Sequence, residues 1–220
     1  MPADGLKGEV TVHEPDRGER TVVRRSAEAR ATVPDLELAT EVDMTRASTL
    51  EVGSTTLLVR ASALALRAVP RANGSYRDGL FELYSRINVG VTVTSDSTYA
   101  IPTVLDADRK SLRELDEEIA ALLERALAGE LTPPSFSGAT FTVLDMGSLG
   151  VGSASPLVIP PQAAAIAAGA IRPLPAVRDG GIVPTPMMTL TLACDHRILY
   201  GARAAGFLEQ VRAHLEEASL

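Results

Sequence analysis

The stretch LTLACDHRILYG, residues 190–201, decides the fold prediction. It begins by alternating threonine with apolar residues, which is typical of a half-buried β-strand. The strand ends in a Cys-Asp-His-Arg cluster, and the alanine-rich segment that starts at Gly201 has the spacing of an amphipathic helix. An imidazole at a strand end beside charged neighbours can act as a general base, so His196 is the first candidate catalytic residue. A structural, hydrogen-bonded histidine is the alternative.

The residues around His196 carry their own predictions. Cys194 precedes the histidine by two positions, which in a continuing strand places both side chains on one face. A nucleophilic Cys-His pair is therefore one hypothesis, and a buried, small apolar cysteine is the favoured one. Asp195 and Arg197 are expected to point the other way and to pair with each other. Tyr200, just before the helix, has no evident role from the residues alone.

The rest of the chain predicts an α+β fold, because runs of strands rather than regular βαβ units separate the helices. Helices are expected over 20–31, 54–69, 111–129 and 201–218, and strands over 36–45, 86–95, 99–106, 139–147 and 186–194. The third helix opens on a capping box of Ser111 and Glu114. Segment 161–171 fits either a strand or a short helix. Residues 1–19 are predicted to be a polar arm before a single domain, 20–220.

Composition and charge exclude several classes of function. The net charge of -7 argues against a nucleic-acid partner, since phosphate binding needs clustered Lys and Arg. The one cysteine excludes an internal disulfide and a cysteine-built zinc site, and no metal is expected. No run approaches the roughly 18 apolar residues of a membrane span, so we expect no membrane partner and a cytoplasmic protein. His13 and His214 lie in polar surroundings and are weaker candidates than His196.

The motif Asp-His-Arg, separated by three residues from Gly201 and an alanine-rich helix, resembles the catalytic domain of 2-oxoacid dehydrogenase acyltransferases. These are the E2 chains of pyruvate and branched-chain dehydrogenase complexes, related in fold to chloramphenicol acetyltransferase. Other stretches resemble the family in the same order: RRSAEARATVP, EVDMT, INVGVTV, IPTVLDADRKSLRELDEEIAAL, SGATFTVLDMGSLGV and PPQAAAIAAGAIRPLPAVRDGGIV. The resemblance covers nearly everything from residue 20 onward. It implies a mixed β-sheet flanked by helices and a homotrimer with active sites in channels between subunits, from which larger cubic or dodecahedral cores can be built.

The resemblance also implies a mechanism. In the family the motif histidine takes a proton from a thiol or hydroxyl, which then attacks an acyl thioester, and a serine or threonine hydroxyl stabilises the oxyanion. Coenzyme A enters the channel from one side and the second substrate from the other. Carried over by position, His196 is the general base and acetyl-CoA is the co-substrate.

Two departures from the family pattern bear on the site. The family motif is D-H-R-x-x-D-G, and this chain has Tyr200 at the position of the second aspartate. In the family that carboxylate organises the site through an arginine. The family stretch TFTISNLG reads TFTVLDMG here, which puts Leu144 at the position of the oxyanion hydroxyl and Asp145 at that of an asparagine. Leucine cannot donate a hydrogen bond. Thr142 and Ser148 are the candidate replacements.

Three hypotheses of function follow. Since Met1 precedes the core by only a short segment, we expect no lipoyl or subunit-binding domain and no covalent lipoyl group. The main hypothesis is a free-standing acyltransferase of secondary metabolism. It would move an acetyl group from acetyl-CoA to the hydroxyl of a small-molecule or carrier-bound acceptor, such as a tetronate-type polyketide intermediate. The alternatives are the core acyltransferase of a 2-oxoacid dehydrogenase complex, acting on dihydrolipoamide, and a non-catalytic scaffold with a degenerate site.

Overall fold

The computed structural model describes residues 8–95 and 98–220. The α-helices in these ranges are Arg17–Thr32 (α1), Ser54–Ala68 (α2), Leu112–Leu127 (α3) and Gly201–Glu217 (α4). The β-strands are Asp35–Asp43 (β1), Gly74–Arg77 (β2), Leu80–Leu83 (β3), Val89–Val91 (β4), Val93–Thr94 (β5), Tyr99–Ala100 (β6), Thr103–Val104 (β7), Phe141–Asp145 (β8), Ala164–Ala168 (β9), Arg172–Arg178 (β10) and Gly181–Asp195 (β11). The predicted α+β class is confirmed. No helix in these two ranges is long and apolar enough to cross a membrane.

One mixed sheet organises the chain. Its strands follow the order β1-β11-β9-β8-β4-β7, and β10 pairs with the first half of β11. Strand β8 runs parallel to both β4 and β9, and the other pairs are antiparallel. Alternate side chains of the central strands join residues of α2, α3 and α4 in one apolar core, where Phe141 packs edge-on against Phe207 of α4. Helices α2, α3 and α4 therefore cover one face of the sheet, and His196 follows directly after its longest strand.

Helix α1 begins earlier than the sequence pattern indicates. The side chain of Asp16 accepts a hydrogen bond from the backbone N–H of Glu19, and the Glu19 carboxylate accepts one from the backbone of Asp16, each at 2.8 Å. This capping box starts the helix at Arg17 instead of residue 20. Residues 1–7 of the predicted polar arm lie outside the described residues, and 8–16 form neither helix nor strand. Helix α3 opens on the capping box of Ser111 and Glu114, as predicted.

Segment 161–171, which fits two patterns, contains a strand. All five residues of β9 are buried. Successive side chains of a strand point to opposite faces, so both faces of the sheet are covered here, and Ala164, Ile166 and Ala168 belong to the core on the helix side. The closest approach is at Gly169, where an added Cβ would lie 1.9 Å from the carbonyl oxygen of Gly152. The small-residue run is therefore explained by packing on both faces of the sheet.

Strands β10 and β11 extend beyond the sheet as a two-stranded ribbon. Residues 181–186 of β11 pair with β10, and only from residue 187 onward does β11 also pair with β1. The ribbon turns at Asp179 and Gly180, which both have positive φ, a conformation that Asp-Gly pairs adopt readily in tight hairpin turns. Its prolines are paired across the strands, with Pro173 opposite Pro186 and Pro175 opposite Pro184. Val177 and Ile182 near its tip are largely exposed.

Candidate active site

His196 lies at the first position after β11. The strand ends at Asp195, and the chain turns there toward α4. The backbone N–H of His196 donates to the carbonyl oxygen of Pro34 at 2.9 Å, which fixes the residue to the start of β1. Its side chain is exposed, and within the described part of the chain the imidazole makes no hydrogen bond. The backbone of His196 is therefore held at a defined place, and its ring is accessible to a ligand.

Asp195 and Arg197 form an ion pair beside the histidine. The Arg197 guanidinium donates to both carboxylate oxygens, with Nε–Oδ1 at 2.9 Å and Nη2–Oδ2 at 2.6 Å. This hydrogen bonding to Asp195 raises the pKa of Arg197 above its ordinary value. The same guanidinium lies over the ring of Tyr76, 4.9 Å from its centroid, so the hairpin β2–β3 packs against the turn. The predicted pairing of Asp195 with Arg197 is confirmed.

Cys194 belongs to the core and takes no part in a nucleophilic pair. It is fully buried, and its thiol lies 3.3 Å from the carbonyl oxygen of Leu199. Burial raises the pKa of the Cys194 thiol to about 12, so the thiolate does not form at neutral pH. The expectation that Cys194 and His196 share a sheet face is wrong. Because β11 ends at Asp195, the alternation of side chains stops one residue before the histidine.

Tyr200 stands at the N-cap of α4. Its ring centroid lies 5.9 Å from that of His196, with the two planes inclined at 50°. Its backbone has the extended conformation of an N-cap residue, but its side chain makes no capping hydrogen bond to the helix. An aromatic contact thus occurs at the position where the family resemblance implies a carboxylate. The first turn of α4 consequently lacks a side-chain acceptor from its N-cap.

Leu144 is far from His196 within one chain. The strand register places Leu144 opposite Ala167 of β9, which is opposite Thr191 of β11. Thr191 precedes His196 by five residues, so at about 3.3 Å per residue the two positions are separated by about 16 Å along the strands. Crossing two strand spacings adds about 10 Å sideways. Leu144 and His196 of the same chain therefore cannot act on one carbonyl group.

The two candidate oxyanion donors differ in availability. Thr142 is buried, and its hydroxyl donates to the side-chain oxygen of Gln162 at 2.7 Å. Ser148 is exposed in the turn after β8, and its hydroxyl has no hydrogen-bond partner in 8–95 or 98–220. The Thr142 hydroxyl is therefore already committed within the protein, whereas that of Ser148 is not.

Asp145 fastens the end of β8 to the start of α2. One carboxylate oxygen accepts hydrogen bonds from the hydroxyls of Ser54 and Thr55, at 2.7 and 2.8 Å, and the other accepts from the backbone N–H of Gly147 at 2.9 Å. These contacts hold the turn that carries Ser148. Asp145 therefore has a structural role in positioning this turn.

Gln162 is a buried polar side chain that sequence analysis missed. The backbone N–H of Asp195 donates to the carbonyl oxygen of Ala163 at 2.8 Å, and Gln162 is the residue just before Ala163. Gln162 and Thr142 both line a cavity of about 350 Å³. A single amide in the apolar run PPQAAAIAAGA was the signal available in the sequence. Within 8–95 and 98–220, no group of three or more His, Cys, Asp or Glu side chains could hold a metal ion.

A mixed sheet, helices on one face and an exposed histidine between a central strand and a helix define the chloramphenicol acetyltransferase-like class. A solved chloramphenicol acetyltransferase matches with a TM-score of 0.55 at 14% identity, covering 94% of this chain and 99% of its own, which shows the fold. Residues 9–220 match the family 2-oxoacid dehydrogenases acyltransferase (catalytic domain). The chain belongs to this acyltransferase family.

Two further relatives agree with this membership. The dihydrolipoyllysine-residue acetyltransferase component 3 of the mitochondrial pyruvate dehydrogenase complex from Arabidopsis thaliana is 36% identical over 163 residues, which is 73% of this chain and 30% of that protein. The crystal structure of a probable dihydrolipoamide acetyltransferase from Listeria monocytogenes 4b F2365 matches with a TM-score of 0.90 at 25% identity, covering 96% of each chain. The chain spans between about a third and half the length of the curated relatives it matches.

Proposed function

We propose that this chain transfers an acetyl group between coenzyme A and a thiol of the dihydrolipoyl type, with His196 as general base. The observation that carries the proposal is the unpartnered imidazole, held at the end of β11 by the contact with Pro34 and flanked by the Asp195–Arg197 pair. Relatives that are dihydrolipoyllysine-residue acetyltransferases support this acceptor over the hydroxyl acceptor that the sequence departures favour.

The chemistry follows from a base placed beside a thiol. The imidazole of His196 accepts the thiol proton, and the thiolate attacks the carbonyl carbon of acetyl-CoA. The tetrahedral intermediate collapses with cleavage of the bond between carbon and the sulfur of CoA, and the imidazolium returns the proton to that sulfur. The products are the acetylated acceptor and free CoA, with His196 neutral again. Coenzyme A is therefore a co-substrate that leaves after each turnover.

We propose that a complete site needs two copies of the chain. His196 from one copy would face the strand end and turn at 144–148 of another, because the two positions are too far apart within one chain. Ser148 would then supply the oxyanion hydroxyl that Leu144 lacks. The arrangement fits a homotrimer with sites between subunits, which could build a larger core. Sedimentation of a monomer under assay conditions would contradict this part of the proposal.

The test is acetyl transfer from acetyl-CoA to free dihydrolipoamide, followed by mass spectrometry of the thioester product. We expect His196→Ala to lower turnover by about 100- to 10,000-fold, the usual contribution of a positioned base. His214→Ala is the matched control, since that histidine contacts Ser219 on the surface of α4 and should leave turnover unchanged. Equal turnover by the wild type and His196→Ala would refute the mechanism.

A hydroxyl acceptor is the second candidate, and Leu144 and Tyr200 are the observations that favour it. Both replace polar groups of the family pattern, as expected of a site adapted to another acceptor. The acceptor could be the hydroxymethyl group of a tetronate intermediate, free or on a carrier protein. The same assay decides between the two: formation of an ester with such an acceptor, without thioester formation on dihydrolipoamide, would establish the second candidate. Absence of CoA binding by calorimetry would instead support a non-catalytic scaffold.

A further inference from the structure

The cavity that Gln162 lines, the Gln162 cavity, lies between helix α1 and the segments 136–142 and 159–162. Its volume of about 350 Å³ is at the lower end of the usual range for ligand pockets, about 300–1,000 Å³. Ile101, Phe136, Ile159, Pro160 and Pro161 contribute apolar surface to its walls, and polar atoms form the larger share of its exposed lining. A cavity of this size and mixed lining fits a small molecule that joins a short carbon chain to polar groups, and it is too small for a whole CoA molecule.

The floor of the Gln162 cavity offers an amide donor. Thr142 and Gln162 are 3% and 7% exposed, so both are more than nine-tenths buried. Because the Gln162 oxygen accepts from the Thr142 hydroxyl, the amide is oriented with its nitrogen available to another group. That nitrogen has no partner in the described ranges and is not sealed from the cavity. A carbonyl oxygen on the floor could therefore accept a hydrogen bond from Gln162.

The rim of the cavity carries an uncommitted positive charge. Arg24 and Arg25 of α1 both line it, together with Glu28. Arg24 pairs with Glu28 at 3.6 Å, whereas Arg25 forms no salt bridge with any residue in 8–95 or 98–220. The exposed Arg25 guanidinium can bind a carboxylate in two-point geometry. The cavity thus has a neutral donor at its floor, apolar side chains in its walls and a cation at its rim.

We propose that the Gln162 cavity binds a short-chain oxo carboxylate. The carbonyl oxygen of this ligand accepts a hydrogen bond from Gln162, and its carboxylate pairs with Arg25. Its methylene groups contact the apolar side chains of the walls. This site goes beyond the proposed transfer reaction, because binding requires neither CoA nor the base His196. Gln162 directly precedes Ala163, whose carbonyl oxygen accepts from the backbone N–H of Asp195, the residue before His196.

Levulinate is the probe, and its affinity is measured by ligand-observed NMR titration. Valerate lacks the ketone and methyl propyl ketone lacks the carboxylate, so each removes one of the two polar contacts. We expect levulinate to bind the wild type about tenfold more tightly than either, as each contact contributes about one order of magnitude. Gln162→Met should abolish the preference of levulinate over valerate. Arg25→Gln should abolish its preference over the ketone.

Two controls keep the result specific. Arg20→Gln changes an exposed arginine on the same helix outside the cavity and should leave the binding of levulinate unchanged. His196→Ala should also retain binding while losing acetyl transfer, which separates this site from the proposed reaction. Levulinate that binds the wild type no better than valerate and the ketone would overturn the proposal, as would binding that Arg25→Gln leaves intact. Because Arg25 is on the surface, its variant tests the site even if Gln162→Met fails to fold.

Discussion

Asp195 and Arg197 clasp each other around the backbone of His196. Besides the two side-chain contacts, the backbone N–H of Arg197 donates to the Asp195 carboxylate at 3.0 Å. The carboxylate is buried, and the arginine is held from its other side by the ring of Tyr76. The turn that displays the imidazole is therefore fixed by interactions of its two neighbours and does not depend on the histidine side chain.

Asp195→Asn should weaken this clasp. The charge-assisted hydrogen bonds are lost at a buried position, so we expect the free energy of unfolding to fall by about 1–3 kcal/mol. Urea denaturation measures the change. The matched control is Glu209→Gln, which breaks the Arg212–Glu209 pair on the surface of α4. Exposed pairs contribute about 0–1 kcal/mol, so equal losses in the two variants would contradict a special role for the clasp.

Cys194 should be unreactive in the folded protein. Because burial raises its pKa from the ordinary 9.0 to about 12, a disulfide reagent at pH 8 should label no thiol in the native state and one per chain in urea. The raised pKa also predicts that stability falls as pH rises from about 9 toward 12, since the unfolded thiol ionises there before the native one. Cys194→Ala should lose less stability over this alkaline range. The tyrosines also ionise there, but they are present in both proteins and do not contribute to the difference. Rapid labelling of the native protein would contradict this account.

Tyr200→Asp should stabilise helix α4. An aspartate at the N-cap can accept a hydrogen bond from the first-turn backbone, and its charge suits the helix N-terminus. We expect a gain of about 0.5–2 kcal/mol in the free energy of unfolding, measured in urea. Tyr200→Phe keeps the ring and provides no acceptor, so it should leave stability within about 0.5 kcal/mol. A gain in the phenylalanine variant as large as in the aspartate variant would show that capping is not the cause.

Leu144→Ser tests whether the missing hydroxyl limits the proposed reaction. If a donor at this position serves the oxyanion, kcat for acetyl transfer to dihydrolipoamide should rise by about 100- to 1,000-fold. Leu144→Ala removes the same bulk without adding a donor and should not produce the gain. A comparable rise in both variants would mean that the leucine hinders access. No rise in either would leave Ser148 as the better candidate.

Local signals in the sequence predicted the four α-helices. The capping box of Ser111 and Glu114 lies within the first turn of one helix, so its recognition does not require knowledge of the fold. The opposite holds for Cys194 and His196. Whether they share a face depends on the one residue at which β11 ends, and residue-level boundaries are set by tertiary contacts such as that of His196 with Pro34.

The geometry of the site could not be predicted without the order of the strands in the sheet. Leu144 belongs to β8, His196 directly follows β11, and β9 lies between these two strands, an arrangement that no local pattern encodes. The resemblance to the acyltransferase family predicted both positions but not the distance between them in one chain. Gln162 was overlooked for a related reason. Its significance comes from the cavity that it lines with Thr142 and helix α1, which are remote from it in sequence.

The paired prolines of the β10–β11 ribbon limit how copies of the chain can meet. Proline has no N–H, so the two proline pairs, Pro173–Pro186 and Pro175–Pro184, must occupy non-hydrogen-bonded positions of the antiparallel ribbon. The backbone carbonyls at these four positions therefore point away from the partner strand, toward the outer edges of the ribbon. A proline there presents a carbonyl but no N–H. The carbonyl oxygen of Pro186 already accepts from the backbone N–H of Met44 at 2.8 Å, and a neighbouring chain that approached either edge would find no N–H donor at the four proline positions. The same feature protects an exposed, apolar-tipped strand pair from growing into an aggregate.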